Sequence, residues 1–327
     1  MAKRNILHVS DLHFGAEPYG NIKTSALQSR ETILNNLIVG IKAVPDEWKP
    51  DIIAVSGDIG WKAHEHDYQK ASKWFGRLSS ELCLPREKFI FCPGNHDIDR
   101  KEANRSRKIE NIEHSKEFLS LEEISYRSDH FKNFALFCQD FNASPLINSA
   151  LANNDVSGFI KYLYGYREIC GIHFVVLNSA WCCVGNEDLG KLWIGENLVL
   201  DVQQCIPSNN DNTIITLFHH PLSNTNIVEQ RGYSDNKPVS QHSILKLSDM
   251  ILNGHVHGNI RKGTCIEGEA YVLTTGATYQ PDSYSLACQI IRVDTSNNLY
   301  STRILKLDEN REWTNQEGEV NIAFKKK

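Results

Sequence analysis

The sequence has no long apolar run and no excess of basic residues. No uninterrupted apolar stretch among its 327 residues approaches the roughly 20 residues that a membrane-spanning helix needs. With 35 Lys and Arg against 40 Asp and Glu, the formal net charge is −5 at pH 7. Composition therefore does not draw the whole molecule toward nucleic acid or an anionic membrane. The apolar run after Lys3 and Arg4 is too short for a signal peptide, and we expect a cytoplasmic protein.

The cysteines show neither paired spacing nor an even count. All nine are scattered, and no C-x-x-C pair or zinc-finger spacing occurs. We therefore interpret them as reduced, mostly structural thiols. A hydrophobic fraction of 41% and a charged fraction of 23% are typical of a soluble globular protein.

The first hundred residues alternate between short apolar segments and amphipathic segments. Strand patterns at 5–9, 51–56 and 88–92 are separated by helix patterns at 24–44 and 67–82. This order predicts βαβ units and a largely parallel sheet, so the fold class is α/β. Further strand patterns follow at 174–178, 213–218, 250–253, 270–275, 285–293 and 299–307.

Side chains of the type that bind metals follow five of the predicted strands. In chain order these ends read D-L-H at 11–13, G-D at 57–58, G-N-H-D at 94–97, H-H-P at 219–221 and G-H-V-H at 254–257. Open α/β sheets bind ligands at the carboxyl ends of their strands. Carboxylate oxygens and imidazole nitrogens together suit hard or borderline metal ions. A single motif of this kind is weak evidence for a metal site, but five of them at strand ends predict one.

This ordered set of motifs resembles the calcineurin-like metallophosphoesterase family. The resemblance implies a four-layer α-β-β-α sandwich with two divalent metal ions at the strand ends. The metal ligands that it implies are Asp11, His13 and His257 for one ion, Asn95, His219 and His255 for the other, and Asp58 as the bridge between them. Ligands of nitrogen and oxygen alone favour Mn²⁺, Fe or Zn²⁺.

The resemblance also implies catalytic roles for Asp58 and His96. Two divalent ions about 3.5–4 Å apart support an in-line displacement at phosphorus and generate a bridging hydroxide. The family's histidine at the position of His96 faces the substrate, where it would protonate the departing oxygen or stabilise the phosphoryl charge. We interpret Asp97 as a turn cap, His8 as a satisfied core residue and His220 as the non-ligand of its pair.

Two departures narrow the branch of the family. Phosphoprotein phosphatases of this fold show G-D-x-x-D-R-G and G-N-H-E, whereas this chain has Trp61 at the second Asp position and Asp97 at the Glu position. The pattern is more similar to the bacterial-type phosphodiesterase branch. The departure also leaves the partner of His96 open.

The function expected from these residues is phosphodiester hydrolysis. We expect a small phosphodiester substrate, a nucleotide or cyclic nucleotide being the first choice, and no membrane partner. A nuclease of the Mre11/SbcD-like branch is the alternative, but the acidic net charge does not favour a nucleic-acid substrate. A non-catalytic scaffold of this fold is the alternative from a different class, and the complete ligand set argues against it.

Substrate contacts are expected from two long loops that follow the motifs. Loops 98–108 and 222–241 offer Arg100, Arg231 and Tyr233, because Arg pairs with phosphate oxygens and Tyr can stack on a base. We expect a single catalytic domain over residues 1–310, with a mainly helical insertion at 99–166. Residues 311–327 are expected to form a solvated C-terminal tail.

Overall fold

A computed structural model of the protein describes residues 3–16, 23–105, 114, 117, 119–148, 158–185, 187–207, 212–231, 240–258, 260, 262–266, 269–280 and 285–324. None of the described helices has the length and apolar content that crossing a membrane requires.

The strands and helices of the described residues alternate through most of the chain. The strands are β1 (Arg4–Val9), β2 (Ile52–Ser56), β3 (Phe89–Cys92), β4 (Gly165–Ile169), β5 (Ile172–Val176), β6 (Thr213–Leu217), β7 (Met250–Asn253), β8 (Thr264–Ile266), β9 (Ala270–Thr274), β10 (Ala287–Asp294), β11 (Leu299–Leu307), β12 (Trp313–Glu317) and β13 (Ile322–Ala323). The helices are α1 (Lys23–Lys42), α2 (Glu65–Glu81), α3 (Arg100–Arg105), α4 (Leu121–Ser128), α5 (Lys132–Asp140), α6 (Glu196–Cys205), α7 (Ile227–Arg231) and α8 (Ser240–Leu247).

Two mixed sheets contain all of these strands. In the described residues the first sheet has the order β12-β11-β10-β1-β2-β3, with β13 also paired to β11, and the second has the order β4-β5-β6-β7-β9-β8. Strands β1, β2 and β3 run parallel to one another, and so do β5, β6, β7 and β9. Each sheet therefore presents a row of strand carboxyl ends from which loops of the predicted motifs leave.

The two sheets face each other across an apolar core. Ile6 of the first sheet belongs to one buried cluster with Phe174 and Leu252 of the second, and all three side chains are fully buried. The neighbouring residues Leu7 and Val9 belong instead to the cluster that contains the helices. Successive side chains of a strand point to opposite faces, so β1 is buried on both sides. This arrangement confirms the α/β class and the layered sandwich predicted above.

The predicted insertion packs its helices onto α2. The ring of Phe137 on α5 lies 5.6 Å from that of Tyr68 on α2 and 5.2 Å from that of Phe91 on β3. Phe131, Phe134 and the rest of this aromatic group are buried. Phe134 and Phe137 thus belong to the contact face of a helix that covers the first sheet.

The C-terminal segment corrects the expectation of a solvated tail. Strands β12 and β13 both pair with β11. Trp313 is buried, and its Nε1–H donates to the Ile33 carbonyl oxygen of α1 at 2.9 Å. Phe324 is also buried. Each aromatic side chain stands alone among polar residues, so the segment lacks the apolar periodicity that would have predicted a strand. Residues 325–327 lie outside the described part of the chain.

Candidate metal centre

The backbone at the strand ends is bent into an unusual conformation. Among the seven predicted metal ligands, five have positive φ angles: Asp11 (54°), His13 (47°), Asp58 (53°), His255 (70°) and His257 (23°). Residues other than glycine rarely adopt this region, and such strain is concentrated at functional sites. Each turn aims a ligand-type side chain into the space between the two sheets instead of along its own strand.

Two glycines permit the close approach of these turns. A Cβ on Gly57, which has a φ of 91°, would lie 2.7 Å from the His219 ring. A Cβ on Gly94 would lie 2.2 Å from Asp58 Oδ1. The G-D and G-N-H-D motifs therefore need glycine because a side chain of another motif, His219 or Asp58, occupies the space where a Cβ would be.

The first group of candidate ligands comprises Asp11, His13, Asp58 and His257, whose ligand atoms lie within 4.8 Å of one another. His257 Nε2 lies 2.9 Å from Asp11 Oδ1. His13 donates from Nδ1 to the Tyr279 carbonyl oxygen at 3.3 Å, which leaves its Nε2 lone pair facing Asp58 Oδ2, also at 3.3 Å. A backbone acceptor that holds one ring nitrogen is the usual support for a metal-binding histidine.

The second group comprises His219, His220 and His255, again within 4.8 Å of one another. The Asn95 Oδ1 atom lies 3.1 Å from Nε2 of both His219 and His220. The structure thus brings together the predicted residues Asn95, His219 and His255 and adds His220, which the sequence analysis interpreted as a non-ligand.

The two adjacent histidines differ in the partners of their Nδ1 atoms. His219 donates from Nδ1 to the Ser56 carbonyl oxygen at 2.6 Å, so in the neutral imidazole that a metal ion binds, Nε2 carries the lone pair. The Ser179 hydroxyl oxygen accepts from the His220 backbone N–H at 3.2 Å and lies 2.8 Å from His220 Nδ1. A hydroxyl that donates to this Nδ1 would place the ring proton of His220 on Nε2. The hydrogen bonds therefore favour His219 as the residue with a free ligand atom.

The charge balance of the site fits metal cations. Asp11 and Asp58 are buried, and in the described part of the chain every ion-pair partner of either carboxylate is a histidine. Burial lowers the pKa of His219, but the Asp58 and Asp11 carboxylates and the Ser56 carbonyl together outweigh burial and raise this pKa to about 9. Two buried carboxylates without Lys or Arg need positive charge from elsewhere. The donor set of imidazole, carboxylate and amide groups suits divalent ions that supply that charge.

His96 lies at the edge of this centre with its ring fixed from behind. Its Nδ1–H donates to the Trp61 carbonyl oxygen at 2.7 Å. The His96 imidazole also stacks on the Trp61 indole, with ring centroids 4.4 Å apart. Its backbone N–H donates to Asp58 Oδ1 at 2.8 Å. Burial lowers the pKa of His96 to about 4. The nitrogen left for a reacting group is Nε2.

Among the described residues, the hydrogen bonds of the Asp97 carboxylate go to groups other than the His96 ring. Its carboxylate accepts from the backbone N–H groups of Ile59 (3.1 Å), Gly60 (2.8 Å) and Gly94 (2.9 Å), and from the Tyr68 hydroxyl (2.9 Å). Burial, followed by the nearby Asp58 charge, raises the pKa of Asp97 to about 6. Asp97 thus closes its own turn, as predicted, and also ties that turn to the loop after β2.

A cavity of about 300 Å³ lies against the centre and is lined by Asp58, Asn95, His96, His220, His255 and His257. The predicted substrate contacts are not among the described residues that line it. Arg100 donates from Nε to the Asn95 carbonyl oxygen at 3.1 Å, beside the site, and Arg231 is exposed at the end of α7. Tyr233 lies outside the described residues. The roles of these three side chains stay predictions.

Three features of the site were not predicted from the sequence. They are His220 as a neighbour of Asn95, the Trp61 carbonyl as the partner of His96, and a cavity wall formed by Gly185, Asp188, Leu189, Leu192 and Asn224. The H-H-P motif itself was a signal for His220. No signal pointed to the carbonyl or to the wall, because neither depends on a distinctive residue type.

Two groups of carboxylates and imidazoles that could each hold a metal ion thus lie at the strand ends of an α/β sandwich. The family of calcineurin-like phosphoesterases matches residues 4–259, and the chain belongs to this family. A comparison with curated proteins gives no significant sequence match.

Solved structures offer similarity in fold. Purple acid phosphatase PPD1 from yellow lupin (Lupinus luteus) seeds is 11% identical with a TM-score of 0.50, and the match covers 98% of this chain and 53% of that one. A dimetal phosphatase from Danio rerio is 12% identical with a TM-score of 0.46, covering 96% and 98% of the two chains. Vps29 of Chaetomium thermophilum is 9% identical with a TM-score of 0.38, covering 98% and 99%. At 11% identity, the purple acid phosphatase is similar to this chain in fold alone, and the two matches with TM-scores below 0.5 are weaker.

Proposed function

We propose that the protein is a phosphodiesterase with two divalent metal ions and that its substrate is a small phosphodiester, with a nucleotide or cyclic nucleotide as first candidate. One observation carries the proposal. The Asp58 Oδ2 atom lies 3.3 Å from His13 Nε2 in the first group and 3.2 Å from His219 Nε2 in the second. A carboxylate between two sets of ligand atoms is suited to be shared by two cations.

The proposed ligands follow from this position of Asp58. One ion would be held by Asp11, His13 and His257, the other by Asn95, His219 and His255, and both by Asp58. The available ring nitrogens and oxygens favour Mn²⁺, Fe or Zn²⁺. When bound, two such ions supply Lewis-acid activation of water and neutralise charge at phosphorus.

The chain's own residues would supply orientation and a proton. The Trp61 carbonyl holds the His96 Nδ1 proton, so Nε2 is the atom that faces a departing oxygen in the cavity. Burial disfavours protonation of this ring, but an anionic phosphodiester beside it favours the protonated form. His96 would then donate from Nε2 to the leaving oxygen and be re-protonated from solvent.

Metal analysis combined with a substrate panel tests the proposal. Protein loaded separately with Mn²⁺, Fe²⁺ and Zn²⁺ is assayed with bis(4-nitrophenyl) phosphate, 4-nitrophenyl phosphate, cyclic nucleotides, dinucleotides and single-stranded DNA. We expect two ions per chain and higher kcat/KM for small diesters than for the monoester or DNA. Two bound ions without diester turnover would instead support the scaffold alternative, and preferred cleavage of DNA would support the nuclease.

A further inference from the structure

The cavity beside the metal centre has two sides of different chemistry. Besides the motif residues, the lining consists of Gly185, Asp188, Leu189, Leu192 and Asn224, which we call the leucine wall. Within the described residues, neither side of the cavity includes a Lys or an Arg. A second phosphate or a carboxylate on the substrate would therefore find no cationic side chain there.

The leucine wall is attached to the segment that follows β6. The Gly190 N–H donates to the Asn224 carbonyl oxygen at 2.9 Å, and the Asn226 N–H donates to the Leu192 carbonyl oxygen at 2.7 Å. Leu192 is fully buried. These two backbone hydrogen bonds fix Gly190 and Leu192 to the segment after β6. The side chains of the wall therefore keep a defined position relative to the motif histidines.

Two apolar side chains at the mouth of the cavity are exposed to solvent. Leu189 of the wall is 71% exposed, and Val256, between the two histidines of G-H-V-H, is 48% exposed. A single exposed apolar residue is ordinary. Here, however, one of them belongs to the wall and the other joins two residues of the opposite side. A substrate group that extends from the centre toward solvent would therefore meet the apolar Leu189 side chain of the wall.

The wall contains one charged side chain, and that charge is negative. Asp188 accepts hydrogen bonds at Oδ2 from the backbone N–H groups of Val184 at 2.9 Å and Gly185 at 3.1 Å. These bonds hold the carboxylate in its place at the turn. An anionic substrate group near the wall would be repelled by this charge, whereas a neutral group would not.

We infer that the leucine wall binds the uncharged organic group of a singly charged phosphodiester and selects against substrates that carry a second anion in that group. The inference rests on the proposed function, in which the opposite side of the cavity holds the phosphodiester. Apolar contact with Leu189 favours a neutral group, and Asp188 disfavours an anionic one. A volume of about 300 Å³ lies at the lower end of small-molecule sites, which limits the group to about the size of one ring.

Two ligands of similar shape and different charge test the inference. Diphenylphosphinate and (4-carboxyphenyl)phenylphosphinate, which have no P–O–C ester bond to hydrolyse, are titrated into the metal-loaded protein, and the Kd of each is measured by calorimetry. We expect the carboxylated ligand to bind at least about tenfold more weakly, because the wall offers repulsion and no cation. In Leu189→Arg this ratio should fall by at least about fivefold, since the new guanidinium can pair with the carboxylate.

Leu200→Arg is the matched control. Leu200 is a partly exposed leucine (39%) on α6 that does not line the cavity, and its substitution should leave the ratio unchanged. Equal affinity for the two ligands in the wild type would overturn the inference. An unchanged ratio in Leu189→Arg, in protein with wild-type metal content, would overturn it as well.

Measuring binding and turnover separately distinguishes a failure of this inference from a failure of the proposed function. The calorimetric ratio does not depend on catalysis. Metal-loaded protein that shows the ratio but hydrolyses no diester would contradict the proposed function and support the wall. Protein that hydrolyses diesters with no charge discrimination would contradict the wall alone.

Discussion

The Trp61 indole lies parallel to the His96 imidazole, with an interplanar angle of 10° and ring centroids 4.4 Å apart. The carbonyl oxygen of Trp61 also accepts the His96 Nδ1 hydrogen bond at 2.7 Å. Trp61 therefore sets the plane of the His96 imidazole and keeps a proton on its Nδ1. Trp61 occupies the position of the second Asp in the related protein phosphatases, and its backbone supplies the acceptor that the sequence left open.

Removal of the indole should misalign His96 without emptying the metal centre. In Trp61→Ala we expect kcat to fall by about 2–10-fold for an alkyl leaving group, because a stacked ring pair contributes about 0.5–1.5 kcal/mol. KM and metal content should stay unchanged, and Trp61→Phe should restore most of the rate because it retains a ring. Equal activity of the Ala and Phe variants would show that stacking has no role in positioning.

Removal of His96 itself should have a larger effect that depends on the leaving group. His96→Ala should retain both metal ions and lose about 10²–10⁴-fold in rate for an alkoxide leaving group. A 4-nitrophenolate ester needs little protonation and should lose less. His242→Ala, a partly buried histidine of α8 outside both ligand groups, serves as control. Equal losses on the two substrates would assign His96 to phosphate positioning instead of proton donation.

The bridging role of Asp58 can be tested by removing its charge. Asp58→Asn should lose most of its bound metal, measured by mass spectrometry, and nearly all turnover. Without the shared carboxylate, the two cations would repel each other at short range. Asp140→Asn, an exposed residue at the end of α5, is the control for loss of one negative charge. Full metal content and wild-type rate in Asp58→Asn would contradict the two-metal assignment.

The predicted substrate contacts call for single substitutions of Arg100, Arg231 and Tyr233. Each variant should raise KM and leave metal content unchanged, because the residue would contact substrate and no ligand. Arg100 lies beside the site, since its Nε–H donates to the Asn95 carbonyl oxygen next to His96. Unchanged KM in all three variants would leave selectivity to other parts of the cavity, such as the leucine wall.

His8 should make stability depend on pH. It is fully buried, Ser56 Oγ lies 2.9 Å from its Nε2, and Gln289 donates to its Nδ1 at 3.3 Å. Burial lowers its pKa from 6.5 to about 3, although Asp11 opposes this shift. Between about pH 3 and pH 6.5, His8 is therefore protonated in the unfolded state and neutral in the folded state. Stability is therefore lost as pH falls from about 6.5 toward 3, by up to about 1.4 kcal/mol per pH unit.

Chemical denaturation of metal-free wild type and His8→Gln measures this contribution. Between pH 7.5 and pH 5 the wild type should lose more unfolding free energy than the variant, because glutamine does not titrate. Metal-free protein is used so that metal release in acid does not add to the slope. The same pH dependence in both proteins would contradict a neutral, buried His8.

The sequence alone determined the class of fold and the chemical types of the site. Apolar runs followed by D-L-H, G-D, G-N-H-D, H-H-P and G-H-V-H are local patterns, and each could be recognised without knowing what packs against it. Strand direction also follows from local order, because short βαβ connections impose parallel strands. The candidate ligands could therefore be named, residue by residue, before any distance was known.

Only the tertiary structure decided how distant segments meet. The different partners of His219 and His220 come from Ser56 and Ser179, which lie 163 and 41 residues away along the chain. The buried Trp313 indole donates a hydrogen bond to the Ile33 carbonyl oxygen of α1, which is 280 residues away along the chain. Backbone carbonyls and non-periodic side chains carry no local signal for such contacts. They are determined by the packing of the two sheets and their helices, which brings these atoms within hydrogen-bond distance.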